Sequence, residues 1–159
     1  MPAFPQQGLF ISYRREDTGP YTRLLQHKLK ERFPGIPVFM DLDSIEAGAD
    51  FRDAINAGVH SCAVLVALIG SNWLTATDED GRRRLDDPDD YVRSEISTAL
   101  KLGVRVIPVL VDGANAPKRQ QLPDDLQRLE RLNALEMCYS RFDYDADRLM
   151  DAIQRVLEA

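Results

Sequence analysis

The sequence predicts an α/β fold: a doubly wound, five-stranded parallel sheet in the order 2-1-3-4-5, with helices on both faces. Three observations carry this. Short apolar runs of strand length alternate with longer stretches of helical periodicity, and strands joined through helices pair in parallel. The third run, Cys62–Ile69 (CAVLVALI), is apolar throughout, the pattern of a strand covered on both faces. Five such units follow one another, which fits the 2-1-3-4-5 order of flavodoxin-like sheets.

The elements follow in order. Gly8–Ser12 (GLFIS) reads as a buried strand, and residues 13–17 leave it as a charged loop. Thr18 is a cap candidate, and Pro20 suits a first helical turn. Tyr21, Leu24, Leu25, Leu29 and Phe33 continue at helical spacing until Pro34-Gly35 stops the helix. Residues 36–40 form the second strand, and residues 41–50 (DLDSIEAGAD) a polar loop. Asp50 caps a helix bearing Phe51, Ala54, Ile55 and Gly58 on one side. The third strand ends at residues 70–73, and residues 76–90 read as a charged, mobile loop. A helix then carries Val92, Ile96, Ala99 and Gly103 on one face. Residues 104–111 are the fourth strand, whose Pro108 predicts a strand end or a bulge. Residues 112–132 hold one short helix from Asp124, and residues 133–138 form a weak fifth strand. Leu149, Ile153, Val156 and Leu157 mark a last helix from about Asp145.

Composition narrows the function. At 159 residues the chain fits one domain, residues 8–158 after a short tail at 1–7, with length enough for a real core. The net charge of -6 argues against a broad nucleic-acid or anionic-membrane surface. No apolar run reaches the length of a membrane span, and the start, MPAFPQQ, lacks the pattern of a secretory signal. Cys62 and Cys138 have no CxxC partners, which predicts reduced thiols in a cytoplasmic protein. His27 and His60 lack ligand-spaced neighbours, and Asp41 with Asp43 is too slight a cluster for a cation, so no metal is expected. In this architecture ligands bind beyond the carboxyl ends of the strands. The candidate lining loops are therefore residues 13–17, 41–50 and 70–73, and the segment from Asp112.

Glu95 stands out against its helix. At roughly 100° per residue it falls about 60° from the centre of the apolar stripe, with Tyr91 one turn earlier on the same side. On periodicity alone it is a boundary residue that reaches solvent.

LFISYRRED, VFMDLDSIEAGADFRDAI, VLVALIGSNWL and DYVRSEISTALKLGVRVIPVLVD together resemble a Toll/interleukin-1 receptor (TIR) domain. The bacterial and the NAD-cleaving members match best. The resemblance runs from Gly8 to Leu157 and implies a role for each matching position. Glu95 falls on the family's catalytic glutamate. Tyr91 stands where most catalytic members carry tryptophan. Phe10, Tyr13 and Arg14 match the segment that lines the nucleotide pocket, and Ser71 and Trp73 border the same cleft. Residues 41–50 match the BB loop. There Asp41 and Glu46 are substrate-side candidates, while Asp43, Ser44, Ile45, Ala47, Gly48, Ala49 and Asp50 belong to assembly.

The implied activity is NAD+ glycohydrolysis, or cyclisation to a cyclic ADP-ribose, with NAD+ as substrate and no separate cofactor. The implied partners are NAD+ and other TIR domains. The implied setting is the effector part of a longer bacterial defence or signalling protein. The chemistry suits a site with one carboxylate. Nicotinamide leaves as a neutral base, so the enzyme must stabilise an oxocarbenium-like ribose rather than protonate a leaving group. Aromatics can hold a ring face, and Arg14 or Arg15 can meet the pyrophosphate. Bland alternatives stand beside these roles. Both arginines fit a solvated loop, and Trp73 fits a core position as well as a stacking platform. There is no GxGxxG after the first strand, which argues against Rossmann-type redox use of NAD. A phosphorelay receiver needs acidic residues after the first and third strands. Ser12-Tyr13-Arg14 and Gly70-Ser71-Asn72 stand there instead. A flavin site would want a phosphate-cradling loop in place of Tyr13-Arg14-Arg15. The remaining rival is a non-catalytic TIR interaction module.

Overall fold

The computed structural model describes residues 7–40 and 45–159. Gly8–Ser12 (β1), Val38–Phe39 (β2), Cys62–Ile69 (β3), Arg105–Val111 (β4) and Leu135–Met137 (β5) form one parallel sheet in the order β2-β1-β3-β4-β5. The helices are Arg15–Arg32 (α1), Phe51–His60 (α2), Tyr91–Leu102 (α3) and Phe142–Glu158 (α4). The order and the layers are those the sequence predicts.

Side chains alternate across the sheet because successive Cβ atoms of a strand point to opposite faces. Leu9, Ile11, Val64, Val66 and Leu68 pack with α1 and α4. Phe10, Leu65, Ala67 and Ile69 pack with α2 and α3 on the other face. Both faces are covered, so β1 and β3 show no polar alternation. The same alternation puts Ser12, two residues past Phe10, on the α2–α3 side at the carboxyl end of β1.

Several boundaries differ from the sequence expectation. α1 starts at Arg15, not at Pro20. Asp17 and Thr18 donate their backbone N–H groups to the Arg14 carbonyl, which closes one extra turn before a break at Thr18 (φ -129°, ψ 20°). β2 is two residues long and β5 three, short edge strands of the kind that limit edge pairing. Pro108 lies mid-strand, in register with Ala67, rather than at an end or a bulge. β5 begins only opposite Val109, so that side of β4 is unpaired at Pro108. A missing N–H directed that way breaks no ladder bond. α4 begins at Phe142, a few residues earlier than its apolar stripe suggests. The region of residues 112–132 carries 3₁₀ turns at Arg119–Gln121 and Asp124–Arg131.

The charged segment of residues 76–90 is built, not loose. Asp78 and Arg82 close a turn through their backbones at 2.8 Å, the Asp78 carboxylate accepts from the Asp80 and Arg82 N–H groups, and Leu85 is fully buried. Among the described residues no helix is long and apolar enough to cross a membrane.

Candidate active site

α3 is fixed at both ends by local chemistry. Asp90 is its N-cap and accepts from the Arg93 N–H at 3.1 Å. Gly103 closes it in the left-handed conformation at φ 76°, where a Cβ would be strained. The helix therefore presents Val92, Glu95, Ile96, Ala99 and Leu100 to the sheet.

Glu95 is not the solvent-reaching boundary residue its periodicity suggests. It is 7% exposed, and the Ser12 hydroxyl donates to its Oε1 at 2.9 Å. Burying a carboxylate costs several kcal/mol unless hydrogen bonds or charges offset it. The partner that lets Glu95 turn inward lies 83 residues away on β1.

Arg14 is likewise not a solvated loop residue. It is 3% exposed. Its guanidinium forks onto both oxygens of Asp90, at 3.0 and 2.8 Å, and its Nε donates to the Trp73 carbonyl at 3.4 Å. Planar two-point pairing of this kind fixes direction as well as distance. One side chain thus ties the end of β1 to the start of α3 and to the turn after β3. Asp17 adds a second tie, its carboxylate accepting from the Gly70 and Asn72 N–H groups at 2.9 and 3.0 Å. Gly70 has no room for a side chain there, since a Cβ would stand 2.4 Å from an Asp17 oxygen.

Tyr91 is 45% exposed, and its ring stacks on Phe51 with centroids 5.0 Å apart and planes 28° apart. Arg52 pairs with Asp89 beside it. The start of α2, where the loop after β2 ends, is thereby joined to the start of α3. Phe51 was not singled out by sequence as a site residue, and an aromatic directly after a capping Asp is the only local signal it gives.

A cleft of about 480 Å³ opens over these residues, with Tyr13, Arg14, Tyr91 and Val92 in its wall. Among the described residues the lining carries six carboxylates (Glu16, Asp78, Glu79, Asp87, Asp89, Asp90) against three guanidiniums (Arg14, Arg15, Arg84). Glu95 follows Tyr91 and Val92 on α3 by four and three residues, so all three share one helical flank. Across the ridge of Tyr13 and Arg15 lies a second, more apolar groove of about 930 Å³, with Arg23, Leu24 and Met40. Its described lining has two arginines and no carboxylate.

The sequence-predicted residues therefore divide. Tyr13, Arg14 and Tyr91 meet at one cleft, while Glu95, one turn after Tyr91 on α3, is not in its wall. Phe10 and Trp73 are fully buried in the α2–α3 core, so they support the cleft rather than line it. Trp73 takes the core position of its two alternatives. Ser71 and Glu46 are exposed and lie outside that cleft's wall. Ile45 is half-buried, and Ala47, Gly48, Ala49 and Asp50 are exposed. The Ala49 N–H donates to the Glu46 carbonyl at 3.0 Å, closing a turn in which Gly48 supplies the positive φ of 84°. Asp41, Asp43 and Ser44 lie outside the described residues. No metal-holding group of three His, Cys, Asp or Glu side chains occurs among the described residues.

A family model described as TIR domain matches residues 9–153. The chain belongs to the TIR-domain family. It is 28% identical over 149 residues to the NAD(+) hydrolase sarm1 of Drosophila melanogaster, a match covering 94% of this chain and 10% of that protein. The chain thus spans only a small part of that relative's length. Among solved structures, the TIR domains of the activated Roq1 resistosome share the fold at TM-score 0.63 and 16% identity, covering 94% of this chain and 98% of that one. A metazoan TIR-STING receptor from C. gigas aligns at TM-score 0.63 and 16% identity over 95% of this chain and 41% of its own. A prokaryotic SEFIR domain aligns at TM-score 0.59 and 15% identity, covering 92% and 98%. At such identities these three speak to the TIR fold alone.

Proposed function

We propose that this TIR domain cleaves NAD+ at the bond between nicotinamide and ribose. Glu95 is the catalytic residue, and self-association raises the activity. The observation that carries the reading is the Glu95 carboxylate, buried against Ser12 one turn beyond the cleft-lining Tyr91. The similarity to an NAD(+) hydrolase supports it. The bond to the ring nitrogen breaks with its electron pair going to nicotinamide, which leaves neutral. The cation left on the ribose is stabilised by the carboxylate until water adds at that carbon and releases a proton, giving ADP-ribose. Attack by an adenine nitrogen instead would give a cyclic product.

The charge layout divides the substrate in two. The carboxylate-rich cleft favours the cationic nicotinamide ring and opposes a pyrophosphate. With Arg14 committed to Asp90, the pyrophosphate falls to the side of Arg15, which lines both clefts, and of Arg23 in the neighbouring groove. NAD+ is a substrate in this reading, with no further cofactor. The domain works in the cytoplasm as the effector of a bacterial defence or signalling protein. The test is nicotinamide release from NAD+ across a range of protein concentrations.

A second reading, a TIR module that only nucleates assembly, has one observation in its favour. Of the three arginines in the acidic cleft, Arg14 is committed to Asp90, and Arg84 lies 3.8 Å from Glu16. Nicotinamide release that stays absent in assembled protein would select that reading.

A further inference from the structure

We propose that Ser12 is a positioning residue for the Glu95 carboxylate, an inference that rests on the proposed NAD+ cleavage and adds a residue to it. Four observations lead here. Ser12 ends β1 in register with Ala67 of β3, so it is held by the interior of the sheet rather than by a loop. It is 1% exposed, and its hydroxyl has no need of solvent because it donates to Glu95 Oε1 at 2.9 Å. It points to the α2–α3 side by strand alternation, where every neighbouring position on β1 and β3 is apolar. The Arg14–Asp90 fork, two residues on, holds the first turn of α3 against the same end of β1. The helix can neither slide nor rotate far without breaking one of the two contacts.

A carboxylate that must meet a developing cation gains little from charge alone if it can swing away. Misplacement by about 1 Å costs on the order of 100-fold in rate. A hydroxyl fixed to one carboxylate oxygen restricts the last torsion. Ser12 touches neither substrate nor reacting atoms in this scheme. Its contribution belongs to kcat, not to substrate affinity.

The experiment compares Ser12→Ala, Ser12→Cys and Ser12→Thr with wild type, by nicotinamide release at fixed, assembled protein concentration. Cysteine fills the serine's space but is a weak donor. The expected result is a fall in kcat of about 10- to 100-fold in the alanine and cysteine variants. KM should stay within about twofold, since substrate binding is unaffected, and threonine, which keeps the hydroxyl, should recover activity. Unchanged kcat in Ser12→Ala would overturn the proposal. So would an impaired alanine variant beside an active cysteine one, because that pattern reports space-filling.

Thermal melts of Ser12→Ala, Glu95→Met and the double variant give a readout that needs no activity. Ser12→Ala should lower Tm in the wild-type background. In the Glu95→Met background it should leave Tm unchanged or raise it, since the two side chains share one bond. Additive shifts would also overturn the proposal. If wild type releases no nicotinamide at any concentration, the proposed activity is overturned, and the Ser12 role with it. A proposal that fails alone leaves wild-type turnover intact.

Discussion

Two parts of the rim above the sheet are built in opposite ways. The junction of β1 with α3 is buried and bonded: Ser12 to Glu95, Arg14 to Asp90, Asp90 to its own helix. The described part of the loop after β2, residues 45–50, is mostly exposed, with one backbone turn closed across Gly48. The first part is complete within one chain and has its geometry set by the core. The second follows an edge strand of two residues and offers its surface outward. In the proposed function, chemistry falls to the first and encounter with other molecules to the second. The contrast also says which substitutions should act through stability and which through activity.

The largest effect on activity is expected at the rigid side. Glu95→Gln should abolish nicotinamide release, a loss of at least about 100-fold if the carboxylate supplies the charge stabilisation. The fold should survive, because removing a buried charge relieves a desolvation cost. Arg14→Ala should instead act on the fold. It strands the Asp90 carboxylate and should cost roughly 3–5 kcal/mol in a urea melt. Lysine there should not restore the loss, since it lacks the two-point fork. A melt of Arg14→Ala equal to wild type would remove the strut from the account.

Tyr91 lies between the two regions, joined to the loop's end through Phe51. Tyr91→Ala should lower kcat/KM by about tenfold, the equivalent of one aromatic contact of about 1.4 kcal/mol. Tyr91→Trp should keep or raise it, and an alanine variant with unchanged kinetics would take Tyr91 out of the site. On the loop side, Gly48→Pro should leave the circular dichroism spectrum unchanged, because among the described residues a Cβ there would meet no atom within 4 Å. It should blunt any rise of specific activity with protein concentration, since proline cannot adopt φ 84°. The smallest effect is a control on the core beneath. Burial pushes the Cys62 thiol up to about 12. Iodoacetamide at about pH 8 should therefore spare Cys62 in the folded protein, because too little thiolate is present, and should label the half-buried Cys138 faster. Equal labelling of both would mean that the α2–α3 core opens readily.

What could be read from the sequence follows the range of the forces involved. β3 is legible to the residue, because an apolar run bounded by a turn signal is a local pattern. The buried stripe of α3 through Val92, Ile96 and Ala99 is legible for the same reason, whereas Asp90 read as loop and Gly103 as a face residue, and the structure makes them its cap and its stop. The 2-1-3-4-5 order came from counting alternating units. Periodicity misplaced Glu95 at a solvent edge because its partner Ser12 is remote in sequence. Arg14 looked like a loop arginine because Asp90 is equally remote, and the Phe51–Tyr91 stack joins two helices that no local pattern links. Trp73 and Phe10 belong to the core beneath the cleft, a distinction that motif matching alone does not make. β2 came out shorter than its apolar run, since pairing at an edge depends on a neighbour rather than on composition.

The most direct test is turnover per protomer of wild type and Glu95→Gln across a wide dilution series, read as nicotinamide released from NAD+. The account predicts low turnover in dilute wild type, a rise with concentration as association is favoured, and no turnover at any concentration in Glu95→Gln. Glu95→Gln turning over NAD+ at the wild-type rate would contradict the catalytic assignment. A wild-type profile that is flat and active would contradict the division of labour between the rigid rim and the loop.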